Sequence, residues 1–157
     1  MSDAPKLSVS GEDDFPVSVE ALYSRLSDAG FLLGCFSAQI GEVIESSHDA
    51  ARWKMKVPVP MMPGELEMAL SFVERVENMS TRVRVEGSGL GGNAVVVTRN
   101  LIEPAEGGSR VKWNADVVEV GGTFMMIPNM MLEPGLRQAI AQSWDTLREN
   151  LDKEPGS

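Results

Sequence analysis

The sequence predicts an α+β fold: a curved antiparallel sheet holding one long C-terminal helix, with two short helices after the first strand. Three observations predict it. Apolar and polar residues alternate in run after run between about residue 38 and residue 120, the period of strands with one dry face. From Leu132 to Leu151 the apolar period becomes helical. Near the N-terminus a capped helical pattern stands before the strands begin. The 157 residues suit one domain, expected over 1–157 with a core from about 6 to 152.

The elements follow in order. Lys6 to Phe15 has strand character. Val19, Leu22, Tyr23 and Leu26 then fall at i, i+3, i+4 and i+7, with Ser18 placed to cap, Glu20 in the first turn and Gly30 ending the helix. Phe31 to Phe36 is apolar and short, which fits a single helical turn or a buried corner. Ala38 to Ser46 reads as a strand, Ser47-His48-Asp49 as a turn, and Ala51, Trp53, Met55 and Val57 as the dry face of a second strand. After a proline-broken stretch, Leu66, Met68, Leu70 and Phe72 alternate with polar or small residues. Val83 and Val85, then Ala94 to Ile102, supply two more strands around Gly87-Ser88-Gly89-Leu90-Gly91-Gly92. Pro104 to Gly108 reads as a turn, and Val111, Trp113, Ala115 and Val117 begin a last strand running to Val120. Leu132, Leu136, Ile140, Trp144, Leu147 and Leu151 form one helical stripe, with Pro134 near the first turn and Pro155-Gly156 past the end. Buried positions are expected at Leu136, Ile140, Trp144 and Leu147, and exposed ones at Arg137, Asp145 and Arg148.

Composition excludes several function classes. With 14 Lys and Arg against 23 Asp and Glu, the net charge of −9 opposes a phosphate backbone, so nucleic acid is not an expected partner, and it makes anionic membranes costly to approach. One Cys and one His leave no disulfide framework and too few ligands for a cysteine or multi-histidine metal site or a Ser/His/Asp triad. No metal and no cofactor are expected. The first residues lack a basic segment followed by an apolar one, and nowhere do about 18 apolar residues run together. The expectation is a soluble, cytoplasmic protein.

Several motifs have competing readings. Gly87, Gly89 and Gly92 match G-x-G-x-x-G, but a β-rich run follows instead of a helix N-terminus, so they read better as a sheet bend or as volume removed from the inner face. The 10 methionines include Met61-Met62, Met125-Met126 and Met130-Met131, which suit either a cavity mouth or an ordinary core. Trp53, Trp113 and Trp144 lie on dry positions. His48 reads as an exposed turn residue and Cys35 as a buried small one. Glu74, Glu77, Glu86, Asp116 and Glu119 read as solvated strand faces.

Particular segments carry a resemblance. Phe15-Pro16-Val17-Ser18-Val19-Glu20-Ala21-Leu22, Pro63-Gly64-Glu65-Leu66, Val85-Glu86-Gly87-Ser88-Gly89-Leu90-Gly91-Gly92 and Val118-Glu119-Val120-Gly121-Gly122, followed by the amphipathic helix, resemble the G-subunit family of carbon monoxide dehydrogenase. This family lies within the START and polyketide-cyclase-like superfamily, and the likeness runs from about residue 6 to residue 152. Where members often carry Cys-Ile-Pro-Gly, this chain has Cys35-Phe36-Ser37-Ala38. The resemblance implies a helix-grip fold. It also implies non-catalytic binding of a hydrophobic small molecule (lipid, isoprenoid or quinone-like), in an accessory role beside a molybdenum hydroxylase of the carbon monoxide dehydrogenase type or another redox enzyme. Some relatives carry a C-terminal extension, and this sequence stops at Ser157, so membrane contact is expected to be at most peripheral.

The expected cavity lies between sheet and helix, exceeds about 300 Å³, and is lined by some of Trp53, Met55, Met68, Leu70, Phe72, Val85, Gly87, Trp113, Met126, Met130, Leu136 and Ile140. Two alternatives stay open: a cyclase- or aromatase-like enzyme, for which the inward polar candidates are Thr98 and Asn100 if Val96 faces out, or Asn114 if Trp113 does, and an interaction domain with a filled core.

Overall fold

A computed structural model describes residues 7–35, 40–56, 64–126 and 129–152. Strand β1 (Leu7–Phe15) is followed by helices α1 (Val19–Leu26) and α2 (Ala29–Gly34). Strands β2 (Ile40–Ser46), β3 (Ala50–Lys56), β4 (Glu65–Val76), β5 (Ser80–Gly89), β6 (Gly92–Ala105) and β7 (Gly108–Gly122) come next. A 3₁₀ turn (Thr123–Met126) leads to α3 (Asn129–Asp152). All strands join one antiparallel sheet in the order β1-β7-β6-β5-β4-β3-β2, so the meander is closed on its last strand by the first. Register shifts in β2, in β4 between Phe72 and Glu74, and between Val95 and Val96 bend the strands and curve the sheet.

The predicted order of elements holds, with three local corrections. Gly30 does not end the first helix. Ser27 caps α1, and Asp28 starts α2 by accepting hydrogen bonds from the backbone N–H of Gly30 (3.0 Å) and Phe31 (3.4 Å). The second correction concerns Pro134, which lies inside α3, because this helix begins at Asn129. Thirdly, β4, β6 and β7 run longer than the alternation alone suggested, and the turn after β6 tightens to Glu106-Gly107. Leu90 and Gly91 both have positive φ (56° and 80°), which lets the β5–β6 connection turn in two residues. Predicted positions at Phe36–Ala38, Val57 and Pro58–Pro63, including Met61 and Met62, and the side chain of Leu132 lie outside the described residues.

The inner face carries two apolar clusters. The first joins Phe15 to Leu22, Leu26, Cys35, Ile102, Val111, Trp144, Leu147 and Leu151. The second joins Ala29, Leu33, Ala51, Trp53, Leu70 and Val83. Helix α3 is pinned in the first cluster. The Trp144 ring lies 5.7 Å from Phe15 and 6.5 Å from Trp113. Arg148 stacks over Phe15 at 4.8 Å and donates to Asp13 Oδ1 at 3.1 Å, while Trp113 Nε1 donates to Asp13 Oδ2 at 3.1 Å. Gly11 permits this arrangement, since a Cβ there would stand 2.7 Å from Trp113 Cζ2. Arg148, expected to be exposed, is therefore half-buried. Helix α2 is tied to the other end of the sheet: the N–H groups of Ala29 and Gly30 donate to the carbonyls of His48 and Ser47, each at 2.9 Å.

Leu147 is 2% exposed, so Leu147→Ala should lower the unfolding free energy by about 2–5 kcal/mol. A loss under about half a kcal/mol in urea titration would contradict the packing described. Asp13→Ala removes an ion pair and leaves the Trp113 N–H without its acceptor, and should cost about 1–3 kcal/mol in the same titration.

Candidate functional site

The alternation of the strands and the period of α3 place their apolar side chains across a common gap. Helix positions Leu136, Ala139, Ile140, Ser143, Trp144 and Leu147 form one stripe facing Leu70 of β4, Val83 and Val85 of β5, and Val96, Thr98 and Asn100 of β6. Leu26, Leu32 and Cys35 close it from α1, α2 and the residue after. The cavity has a volume of about 190 Å³ and is partly open to solvent. It lies on the seam between the two clusters, and both contribute walls.

Of the twelve candidates for its lining, Leu70, Val85, Leu136 and Ile140 border this cavity. Leu136 and Ile140 are half-buried for this reason, where full burial was expected. Trp53, fully buried, and Met55, Met68 and Phe72 instead build the second cluster. Gly87 subtracts no volume from the cavity, because Met68 fills the space: a Cβ on Gly87 would meet Met68 Sδ at 3.0 Å. Trp113 packs on Trp144 within the first cluster. Met126 and Met130 are 84% and 80% exposed and are not among the residues that line this cavity, and Phe124, between β7 and Met126, packs back onto Gly92. The cavity is also smaller than expected. Ala139, Ser143 and Trp144 were absent from the expectation, although the same helical period that found Leu136 and Ile140 marks them.

Polar groups are few and uncharged. Ser143 Oγ donates to the Ala139 carbonyl at 2.9 Å, and Cys35 Sγ donates to the Phe31 carbonyl at 3.7 Å. Asn100 Nδ2 donates to Thr81 Oγ1 at 3.2 Å. Two buried atoms of lining residues, Asn100 Oδ1 and Trp144 Nε1, have no hydrogen-bond partner among the described residues, each at a desolvation cost of about 1–3 kcal/mol. Burial pushes the Cys35 thiol up to about 12. His48 is exposed in its turn, and Glu74, Glu77 and Glu119 face solvent, while Glu86 and Asp116 are half-buried. Among the described residues no three of His, Cys, Asp and Glu could hold a metal ion together, and no helix is long and apolar enough to cross a membrane.

A family model described as the G subunit of carbon monoxide dehydrogenase (CoxG) matches residues 11–152. No curated protein matches the chain. Among solved structures, a conserved protein from Geobacillus kaustophilus is 17% identical, with a TM-score of 0.79 over 94% of this chain and 96% of that one. A protein from Mycobacterium smegmatis is 12% identical, with a TM-score of 0.68 over 94% and 92%. An uncharacterized protein from Rhizobium leguminosarum is 15% identical, with a TM-score of 0.67 over 94% and 95%. At these identities the structures share the fold, which is consistent with the helix grip.

The Cys35 environment is directly testable. Its thiol stays neutral in the folded chain well above its ordinary value of 9.0, so native protein should resist iodoacetamide at about pH 8 and label only on unfolding. Because the folded value is raised, this group's contribution to stability is complete below the unfolded value and is lost as pH rises from there toward 12. Equal labelling rates for native and denatured protein would refute the buried placement.

Proposed function

The chain belongs to the CoxG family, the G subunit of carbon monoxide dehydrogenase, and from that premise we propose that it binds a hydrophobic small molecule without transforming it, as an accessory protein of a molybdenum hydroxylase of the carbon monoxide dehydrogenase type. The observation that carries the binding reading is the cavity on the seam between sheet and helix, walled by valine, leucine and isoleucine. Protein interiors rarely leave such a gap unfilled. Small-molecule sites have this character, a mostly apolar wall with a few placed polar groups.

The chemistry of the wall favours binding over catalysis. General acid–base work needs a group that can exchange a proton near neutral pH within hydrogen-bond reach of substrate. Among the described lining residues the only ionisable side chain is Cys35, held neutral by burial. Thr98, Asn100 and Ser143 can orient a ligand but not titrate. The ligand class that fits is an apolar body, such as a lipid, isoprenoid or quinone-like ring, with one polar end. The accessory role rests on family membership alone.

Protein purified from its own cells and extracted with organic solvent should release one apolar molecule per chain, identified by mass spectrometry. The neutral dye N-phenyl-1-naphthylamine should bind at micromolar concentration, and Ser143→Phe, which fills the cavity from α3, should weaken it at least about tenfold with the circular dichroism unchanged. A parent that releases nothing and binds no dye would replace this reading with an interaction domain.

A further inference from the structure

On one side of the cavity the inner face of the sheet loses its side chains. Leu70, Val85 and Val96 are cross-strand partners on β4, β5 and β6, and all three line the cavity. Two residues further along each strand the same face carries Met68, Gly87 and Ala94, again partners. Gly89 and Gly92 pair beyond them. From the cavity toward the β5–β6 turn, β5 and β6 thus present a floor whose largest inward group is a methyl. Side chains from elsewhere cover it. A Cβ on Gly87 would stand 3.0 Å from Met68 Sδ and 3.4 Å from its Cε, one on Gly89 3.2 Å from Leu66 Cδ2, and one on Gly92 2.7 Å from Phe124 Cδ1. Met68, Leu66 and Phe124 are only half-buried. The opposite end is closed by buried bulk, since Trp144 packs there on Trp113, the cross-strand partner of Asn100.

Resting on the binding reading above, we infer that the site continues over Gly87 and Ala94, that Met68 fills this extension in the unliganded chain, and that the ligand carries an extended acyl or isoprenoid tail whose end displaces the Met68 thioether. The open part measures about 190 Å³. That is close to the roughly 150 Å³ that houses a benzene ring, and short of the roughly 300 Å³ at which sites for larger apolar ligands begin. Adding one row of the sheet lengthens the site by about 7 Å, two residues at about 3.4 Å each. Nothing in the backbone asks for glycine at 87, because its φ is not positive, unlike that of Gly89. A glycine inside a strand weakens it and marks a place where another group comes close to the backbone. Met68 is suited to yield: its side chain is unbranched and flexible, and it touches the Gly87 position only through its far end. What takes the place of an unbranched side chain is itself a chain, which favours a tail over a fused ring system. Met68 is thus the residue that sets the length of ligand the site accepts.

Calorimetric titration of the full chain with 1-hexanol, 1-octanol and 1-decanol, neutral probes that differ only in length, tests the extension. In the parent each added methylene should tighten binding about three- to fourfold through decanol, as burial of a methylene does. Gly87→Val, which occupies the floor, should lower the ratio of decanol to hexanol affinity at least about tenfold, and Met68→Ala, which leaves the extension open, should raise it at least about threefold. If either variant does not fold, NMR of the parent labelled at its methionine methyls gives a second readout, with the Met68 signal assigned through the volume-conserving Met68→Leu. Decanol should shift that signal and hexanol should not. Hexanol binding with no further gain at decanol, a ratio that neither substitution moves, or a Met68 methyl that ignores decanol overturns the extension and leaves the binding reading standing. Failure of all three alcohols to bind overturns both readings together.

Discussion

The wedge of Trp144 between Phe15 and Trp113 decides where α3 lies, and the position of α3 decides the rest. The wedge is reinforced by Arg148, which stacks on Phe15 and pairs with Asp13, and by the Trp113 N–H bound to the other oxygen of Asp13. Strand, helix and adjacent strand thus converge on one carboxylate. The C-terminal half of the helix is fixed over the β1 edge of the sheet. At the other end Ala29 and Leu33 of α2 cover Trp53 and Leu70, anchored through the β2–β3 turn. Two anchored ends leave a middle that belongs to neither.

Side-chain size explains why that middle stays empty. Large side chains stand at the two ends: Phe15, Trp113 and Trp144 at one, Trp53, Met68 and Phe72 at the other. Between them the sheet offers Val85, Val96 and Thr98, and the helix above offers Ala139 and Ser143 between Leu136, Ile140 and Trp144. Valine, threonine, alanine and serine supply much of this wall, and with α3 held by the Trp144 wedge the helix does not settle closer to the sheet to fill the gap. Interiors are otherwise close-packed, and the void is the consequence of two well-packed clusters held at a fixed separation.

This division also explains what could be read in the sequence. Period-2 alternation marked the inward face of β3, β4, β5 and β7, and the 3–4 spacing of Leu136, Ile140, Trp144 and Leu147 marked the inward face of α3, because both signals depend only on which side is dry. Neither signal says how far along a dry face a residue sits. Trp53 and Leu70 share a face, yet one is sealed in a cluster and the other reaches the cavity. Gly87 was legible as missing volume, but that a methionine on the neighbouring strand takes the volume depends on the register of β4 against β5. Met126 and Met130 were apolar residues near an expected opening, and the backbone path after Gly122 turned them away. Gly30 looked like a helix stop until Asp28 supplied a new cap two residues earlier.

A ligand seated on the seam would touch α3, β5, β6 and both clusters at once, so its contacts would do what the protein's own side chains do not, which is to join the two halves of the core. By mass action any such ligand adds RT ln(1 + [L]/Kd) to the stability of the folded chain. The added stability falls on the part of α3 from Leu136 to Ser143, which spans the gap, more than on the part from Trp144 to Leu151, which is already packed. On the proposed reading the pinned half of the helix would serve as a fixed frame and the spanning half as the side of the cavity that gains most from a ligand. Removal of such a ligand would then act against contacts concentrated on that one stretch of helix, while the aromatic wedge and the Asp13 network hold the rest of α3 in place.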